Sequence, residues 1–250
     1  MLKTVTRPLR AIVRYEFSAP VNLAIVVLTG GAFAAQKYWI SHSTVVYCNN
    51  TFVDRIWCNL GYDRALIVNG REPWRLLTAN LVHTANWWRP TGRLAWIGTR
   101  GLLHVAAVVL ALLLFGPLVE RVFGHRRFAV IYAVSGVAGY ALLLIRNPGP
   151  YLQGGATGAV YGTFASFLIV VLLHRREAAY AGLVRPAIVM FLILAAGQYG
   201  WNEQFPHLIH VGGFAAGIVL GLLLDPRTET AAPEEVPSAY QPVSYPDLQT

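Results

Sequence analysis

The chain is apolar and basic. Hydrophobic residues make up 55% of its 250 residues and charged residues 13%, with a mean hydropathy of +0.47, whereas about a quarter of the residues of a soluble domain are charged. The formal charge of +8 does not indicate a nucleic-acid partner, because the basic residues stand in short clusters beside apolar blocks and no motif for DNA or RNA recognition is present. This composition excludes an ordinary soluble domain and indicates that lipid surrounds most of the chain.

Six apolar stretches contain no Asp, Glu, Lys or Arg. Each is close to the length of about 20 residues that a helix needs to cross the hydrocarbon of a bilayer. They run over residues 17–36, 101–119, 128–145, 155–173, 186–202 and 208–224. We therefore predict an all-α, polytopic membrane protein of six transmembrane helices, with both termini on the same side of the membrane.

Basic residues predict the orientation of this bundle. They cluster in the N-terminal arm, after the second stretch and after the fourth, which all lie on one side. The clusters contain Lys3, Arg7, Arg10 and Arg14, then Arg121, Arg126 and Arg127, then Arg175, Arg176 and Arg185. Under the positive-inside rule this side is cytoplasmic. Because no organellar targeting segment is evident, we expect the bacterial plasma membrane.

Two flanking segments are predicted on the cytoplasmic side, an N-terminal arm over residues 1–16 and a tail over residues 226–250. The tail has five prolines and several acidic residues, too little apolar content to fold alone, so we expect it to be disordered. The first apolar stretch could instead be a signal peptide, but it starts late and lacks a clear small-residue cleavage site. We expect it to be a retained helix of the membrane domain over residues 17–225.

A long external loop is predicted over residues 41–100, between the first and second helices. It is rich in Trp and Arg and contains the two cysteines, Cys48 and Cys58. A disulfide between them is plausible if the loop faces an oxidising compartment, and two free thiols are a comparable alternative. The tryptophans suit the membrane interface, either as anchors or as a docking surface.

Four polar residues are predicted to meet near the outer end of the bundle. The second, fourth and sixth helices all run from outside to inside, which puts His104, Thr157, His207 and His210 at a similar depth. Ionisable groups inside a membrane are costly and indicate a functional site. The alternative for each histidine alone is a position near the headgroups, where water and backbone carbonyls satisfy it.

Glycine spacing predicts that the fourth and sixth helices pack closely. Glycines recur every four residues after Thr157 and after His210, so each helix has a groove of small residues along one face. The glycines are Gly158 and Gly162 on one helix and Gly213, Gly217 and Gly221 on the other. Such packing would bring Thr157 and His210 within hydrogen-bond reach. Tyr161, one turn after Thr157, could then stack on an imidazole.

Four segments together resemble the rhomboid family. Residues 155–162, GATGAVYG, resemble the signature in which Gly-Ala-Ser-Gly opens the fourth helix, and residues 207–214, HLIHVGGF, resemble the histidine motif of the sixth helix. Residues 72–78, EPWRLLT, resemble the Trp-Arg motif of the first external loop and precede His83. Residues 120–124, ERVFG, resemble the end of the second helix. The matches occur in family order.

The resemblance implies a six-helix rhomboid-like bundle and, for active members, cleavage of transmembrane segments of other proteins without a cofactor. It implies a serine nucleophile, a histidine base, and a His and Asn pair on the second helix that helps hold the oxyanion. On the matching positions the base is His210, and His104 and Tyr161 are supporting residues. Two positions depart from the family: Thr157 stands where the serine is expected, and Val108 stands where the Asn is expected.

Both departures weaken the implied chemistry. The methyl group of Thr157 restricts its rotamers on a helix, and Thr nucleophiles usually rely on an N-terminal amine, which an internal residue lacks. Loss of one oxyanion donor costs about a hundred- to a thousand-fold in rate. Asn86 could supply a donor if the external loop folds inward, and the spacing from His83 to His104 exceeds that of the family.

The sequence leaves three functional hypotheses. The favoured one is a non-proteolytic homologue, or pseudoprotease, that binds transmembrane helices of partner proteins. The second is an intramembrane endopeptidase with a Thr157 and His210 dyad. A metal site of His104, His207 and His210 is a minor third, and we expect no cofactor. A transporter is disfavoured by the lack of membrane carboxylates and internal repeats.

Two other hydroxyl groups lie in the predicted helices. Ser135 and Ser166 have no nearby base by topology, so we expect them to serve helix packing or to bond to a helix carbonyl.

Overall fold

The computed structural model describes residues 18–42, 46–48, 51–53, 55–83, 99–146, 152–199 and 206–226. The predicted arm over residues 1–16 lies outside these ranges, as do Asn86 and the tail beyond Pro226. Disorder of the tail and the cytoplasmic location of both termini therefore stay predictions.

Six apolar helices form the body of the protein. They are α1 (Pro20–His42), α5 (Thr99–Phe123), α6 (His125–Arg146), α7 (Thr157–Leu173), α9 (Val184–Tyr199) and α10 (Pro206–Leu223). They fall on the six predicted stretches, because a helix is the structure in which a single segment satisfies its own backbone polar groups in hydrocarbon. The largest difference lies in α1, which continues six residues past Gln36.

Three of these helical stretches are long and apolar enough to cross a membrane: His104–Phe123, His125–Arg146 and Ala178–Ala195. Three shorter apolar stretches accompany them: Pro20–Gln36, Thr157–Leu173 and His207–Leu223. At 1.5 Å per residue, 17 residues rise about 25 Å, close to the hydrocarbon thickness of about 30 Å. The predicted all-α membrane bundle is confirmed.

Helix α7 lies at the centre of the bundle and packs against α6, α9 and α10. Its buried residues fall on all sides, from Gly158 near its start to Val171 near its end. Helix α9 is the least buried of the long apolar helices, since only 11% of the Ala178–Ala195 stretch is buried within the protein. The corresponding shares are 39% for His104–Phe123 and 44% for His125–Arg146. The outer helix α9 is therefore held mainly by its contact with α7.

Short elements fill the connections. Between α1 and α5 lie β1 (Val46–Cys48), β2 (Thr51–Val53), α2 (Arg55–Leu60), β3 (Tyr62–Asp63), α3 (Arg64–Val68) and α4 (Arg75–Thr78). Strand β4 (Leu152–Gln153) precedes α7, and α8 (Ala178–Ala181) precedes α9. Strands β1 and β2 form an antiparallel hairpin, and β3 pairs antiparallel with β4. The external loop is therefore joined to the segment that leads into α7.

Of the two alternatives for the cysteines, a disulfide or two free thiols, the structure has the disulfide. Cys58 is disulfide-bonded, and the only other cysteine in the chain is Cys48. A disulfide stabilises a fold mainly by restricting the unfolded chain.

Arg75 of the Trp-Arg motif has a structural role. It is only 3% exposed, and its Nη1 donates hydrogen bonds to the carbonyl oxygens of Cys58 at 2.8 Å and Gly61 at 2.7 Å. Its Nε pairs with the carboxylate of Glu72. A planar guanidinium with several donors suits this binding of two carbonyls and a carboxylate. Arg75 thus holds the external loop in shape, whereas Trp74 is 52% exposed.

Two polar ties join the helices at the end of the bundle away from Thr157. The buried carboxylate of Glu120, on α5, accepts hydrogen bonds from the backbone N–H groups of Val21 at 3.1 Å and Asn22 at 2.6 Å. These N–H groups belong to the first turn of α1, where a helix has no internal acceptors for them. The carboxylate also complements the positive end of the helix dipole.

The second tie joins the ends of α7 and α10. The Nε2 atom of His174 lies 2.6 Å from Oδ2 of Asp225, and its Nδ1 lies 3.2 Å from Oε1 of Glu177. The imidazole thus lies between two acidic side chains, one on each ring nitrogen. This tie limits sliding of α7 along α10.

Removal of the Glu120 carboxylate should loosen α1. Glu120→Ala leaves two N–H groups of α1 without acceptors, so we expect a loss of about 3 kcal/mol or more in the free energy of unfolding, at about 1.5–3 kcal/mol per charge-assisted bond. Reversible unfolding in mixed detergent micelles measures this. The matched control Glu177→Ala removes a carboxylate that is 41% exposed and should cost less than about 1 kcal/mol. Equal losses for the two variants would contradict the role of Glu120.

Candidate functional site

Thr157 is the first residue of α7, and the segment before it is tightly held. The N–H of Gly155 donates to the carbonyl of Ala79 at 2.9 Å, and the carbonyl of Gly155 accepts from the Tyr140 hydroxyl at 3.0 Å. Gly155 has a φ of +141°, a conformation that L side chains rarely adopt. These contacts set the position at which α7 begins.

His104 lies against this segment. A Cβ atom added at Gly155 would lie 2.8 Å from Cε1 of the His104 ring, so only a glycine fits beside this imidazole. The other side of His104 meets His83 edge to face, with ring centroids 5.3 Å apart and an angle of 70°. The second-helix histidine therefore lies beside the start of α7, as the sequence predicts.

Helices α7 and α10 touch backbone to backbone. A Cβ atom on Gly213 would lie 2.0 Å from the carbonyl oxygen of Gly158, and one on Gly217 would lie 2.0 Å from that of Gly162. No side chain larger than hydrogen fits at either point without moving the helices apart. The predicted glycine contact between the two helices is confirmed.

His210 stacks on Tyr161 across this contact. The two ring centroids are 4.4 Å apart and the ring planes differ by 10°, as the predicted stacking requires. The Tyr161 hydroxyl donates a hydrogen bond of 2.7 Å to the backbone carbonyl of Leu194, on α9. Tyr161 thus orients the His210 ring while its own position depends on the outer helix.

At one end of the bundle the structure shows two contacts that involve the predicted histidines. His210 is paired with Tyr161, and His104 is paired with Gly155, two residues before Thr157. Both His104 and His207 lie within electrostatic reach of His210. His207 itself is exposed.

The two alternative hydroxyls serve packing, as predicted. The Ser166 hydroxyl donates to the carbonyl of Thr163, three residues earlier on α7, at 2.7 Å. Ser135 is fully buried, and a Cβ atom at Gly162 would lie 2.2 Å from its Oγ. Ser135 therefore fits into the groove that Gly162 leaves.

Val108 is a buried apolar residue of α5. It lies one turn after His104 on α5, is only 4% exposed and belongs to the same buried cluster as Ala156 and Val160. A valine side chain has no donor, so nothing at this position can hydrogen-bond an oxyanion.

In the sequence His83 only marks the segment after the Trp-Arg motif, but in the structure it is buried and bound to Gln36 of α1. The residue is fully buried, and its backbone N–H donates to Oε1 of Gln36 at 3.2 Å while its carbonyl accepts from Nε2 of Gln36 at 3.5 Å. Among the described residues neither ring nitrogen of His83 has a hydrogen-bond partner. Burial, helped by the nearby His104, lowers the pKa of His83 from 6.5 to about 3. The feature of the sequence that could have indicated this contact is Gln36, a polar residue at the end of an apolar stretch.

The buried neutral imidazole of His83 should make stability depend on pH. Below about pH 6.5 the unfolded chain binds a proton at His83 that the folded protein refuses until about pH 3, so stability is lost as the pH falls through this window. We expect the stability difference between the wild type and His83→Gln to change by about 1.4 kcal/mol per pH unit. Unfolding in micelles at pH 6.5, 5.5 and 4.5 measures it, and a difference that is independent of pH would contradict the buried neutral state.

A methyl group in the α7–α10 contact should separate the helices. Gly213→Ala puts a methyl against the carbonyl of Gly158, and we expect a loss of about 1–3 kcal/mol in unfolding free energy. The matched control is Gly31→Ala on α1, where nothing lies within 4 Å of the added Cβ. Unfolding of both variants in micelles checks the prediction. A Gly213→Ala variant as stable as Gly31→Ala would show that the helices are not in backbone contact.

The proposed metal site gains no support. Within the described ranges, no group of three or more His, Cys, Asp and Glu side chains is arranged to hold a metal ion, although His104, His207 and His210 all lie in those ranges.

The fold and the site define a helical membrane protein with a polar cluster at one end. Over residues 95–227, more than half of the chain, the sequence matches the family model for the Rhomboid domain. The chain belongs to the rhomboid family. The matched range covers α5 to α10 and includes Thr157, His210, Tyr161 and His104.

Individual proteins to which the chain is similar also carry rhomboid names. The chain is 30% identical over 167 residues to RHOMBOID-like protein 4 of Arabidopsis thaliana, which covers 66% of this chain and 37% of that protein. It is 28% identical to the putative rhomboid protease YdcA of Bacillus subtilis, and this match covers 65% of this chain and 72% of that protein. It is 30% identical to the rhomboid protease GluP of the same organism, and this match covers 64% of this chain and 28% of that protein. The match thus spans less than two fifths of two of these three relatives.

Proposed function

We propose that this rhomboid family member is a pseudoprotease that binds transmembrane segments of partner proteins in the bilayer without cleaving them. Val108 is the observation that carries the proposal. Its methyl groups stand in the buried cluster one turn from His104, at the position where the family resemblance implies an oxyanion donor. Without that donor the intermediate of peptide hydrolysis loses stabilisation worth about a hundred- to a thousand-fold in rate.

Thr157 supports the same proposal. Its neighbour Gly158 packs against Ile209, whose Cγ2 would lie 2.9 Å from an added Cβ, so the first turn of α7 has little free space toward α10. A β-branched side chain has fewer rotamers than serine in such surroundings. A nucleophile that cannot turn its oxygen toward the base loses the alignment on which attack depends.

A second candidate is an intramembrane endopeptidase with a Thr157 and His210 dyad. The stacking of Tyr161 on His210, at 4.4 Å between centroids, favours it because an oriented imidazole is what a general base needs. Two of the relatives are also named rhomboid proteases. Thr157 keeps a hydroxyl, so the chemistry is weakened by the substitution without being abolished in principle.

The location follows from charge. We propose a multi-pass protein of the bacterial plasma membrane with both termini in the cytoplasm, because the arginines next to α6 and α7, such as Arg126 and Arg175, are on the side away from Thr157. The site then opens toward the extracytoplasmic side, where the Cys58 disulfide is stable.

Proteoliposomes containing single-pass model substrates test the proposal directly. We expect the wild type to bind a labelled transmembrane peptide, measured by energy transfer, and to cleave it no faster than Thr157→Ala or His210→Ala. Restoring the implied residues in Thr157→Ser combined with Val108→Asn should produce cleavage, with about a hundred- to a thousand-fold more activity than Thr157→Ser alone. A melting curve of each variant controls for folding.

Two outcomes would contradict this account. Cleavage by the wild type that disappears in Thr157→Ala would establish the dyad and exclude the pseudoprotease. Absence of binding to any of a set of transmembrane peptides of varied sequence would exclude the binding function.

A further inference from the structure

The connection between α7 and α9 is rich in arginine and lies at the end of the bundle away from Thr157. Arg175 and Arg176 follow the end of α7, and Arg185 is the second residue of α9. All three are exposed. Backbone hydrogen bonds of 2.9–3.0 Å form consecutive turns along the segment between them, through α8. The three arginines therefore stand on an ordered stretch of backbone.

The described carboxylates at this end of the bundle are used inside the protein. Glu120 is only 1% exposed and binds the first turn of α1. Glu177 and Asp225 both contact a single imidazole at the end of α7. Within the described ranges no ion pair includes Arg176 or Arg185. The positive charge of these two arginines is therefore open to an anionic partner.

An apolar stripe continues from Arg185 along α9. Ile188, Val189 and Leu192 follow it three, four and seven residues later, so they lie on the same face of the helix. These three side chains, here called the α9 stripe, are between 45% and 58% exposed. A positive charge at the end of an apolar stripe matches the headgroup and chain of an anionic lipid.

We propose that Arg176 and Arg185 form a binding site for an anionic phospholipid, whose phosphate contacts the two guanidinium groups and whose acyl chain lies along the α9 stripe. Guanidinium groups suit phosphate oxygens because they offer several donors in one plane. A free phosphate would use the arginines alone, whereas the stripe gives a place to an apolar chain. In the proposed orientation the lipid belongs to the cytoplasmic leaflet, whose anionic lipids attract basic segments. The site is independent of any chemistry at Thr157.

Quenching by brominated lipid tests the site in the full chain. A bimane label at Val189→Cys, a position that is 49% exposed, reports lipid at the α9 stripe in phosphatidylcholine nanodiscs. Brominated phosphatidylglycerol should reach half-maximal quenching at a lower mole fraction than brominated phosphatidylcholine. An arginine near an anionic lipid contributes about fivefold in affinity. The double change Arg176→Gln and Arg185→Gln should therefore reduce the preference for phosphatidylglycerol by about fivefold or more.

Two matched controls separate a site from general charge. Arg55→Gln combined with Arg71→Gln removes the same charge from exposed arginines of the external loop and should leave the preference unchanged. A label at Val211→Cys on α10, a position that is 58% exposed and next to His210, should be quenched equally by the two lipids. A melting curve of each labelled variant controls for folding.

Equal quenching by the two lipids at Val189→Cys, or an undiminished preference in the Arg176→Gln and Arg185→Gln variant, would overturn the proposal. Displacement of brominated phosphatidylglycerol by soluble glycerol phosphate would also overturn it, since the site would then bind phosphate without a lipid chain.

The acidic tail is the other candidate partner for the arginines. It contains Glu229, Glu234 and Glu235. A preference for phosphatidylglycerol that emerges only when all three are changed to Gln would show that the tail covers the arginines, and this too would overturn the proposal. A preference that is the same with and without these changes supports the lipid site.

Discussion

The backbone contact between α7 and α10 is the constraint on which the site depends. The carbonyl oxygens of Gly158 and Gly162 occupy the space that side chains at Gly213 and Gly217 would need. In a bilayer, lipid competes equally for apolar side chains, so close packing of small residues supplies much of the attraction between helices. Because His210 and Tyr161 stand on the two helices that meet here, their ring stack at 4.4 Å is a consequence of this contact.

Polar residues act at the two ends of this apolar body. At one end Glu120 binds the first turn of α1 and His174 joins α7 to α10. At the other end the segment 152–156 is held between the external loop and Tyr140, with His104 against Gly155. The helices are thus joined by polar contacts near their ends and packed by glycine between them. Helix α9 shares least in these contacts, and only 11% of the Ala178–Ala195 stretch is buried within the protein.

Much of the fold could be predicted from the sequence, because the six helices follow from long runs without charge. Their ends differ by a few residues, since a helix continues through a polar residue such as Lys37 when nothing stops it. The stack of Tyr161 on His210 was predictable from glycine spacing on two helices that run in the same direction.

Other features depended on contacts between distant residues and could not be read from local patterns. Pairing of β3 with β4 joins residues about 90 positions apart, and Glu120 acts on α1 about 100 positions earlier. The buried His83 and the bond from Tyr161 to Leu194 are similar cases, because a histidine or a carbonyl has no sequence pattern that reveals its partner. The family resemblance placed Thr157 and Val108, but only the structure showed that Val108 is buried in the apolar core.

The central claim is that the polar cluster is assembled and that its nucleophile position is inactive. Reaction with a fluorophosphonate probe, which labels an activated hydroxyl covalently, measures this without a choice of substrate. The account predicts no labelling of the wild type, labelling of Thr157→Ser combined with Val108→Asn, and loss of that labelling when His210→Ala is added. Labelling of the wild type at Thr157, or a folded double variant that stays unlabelled, would contradict it.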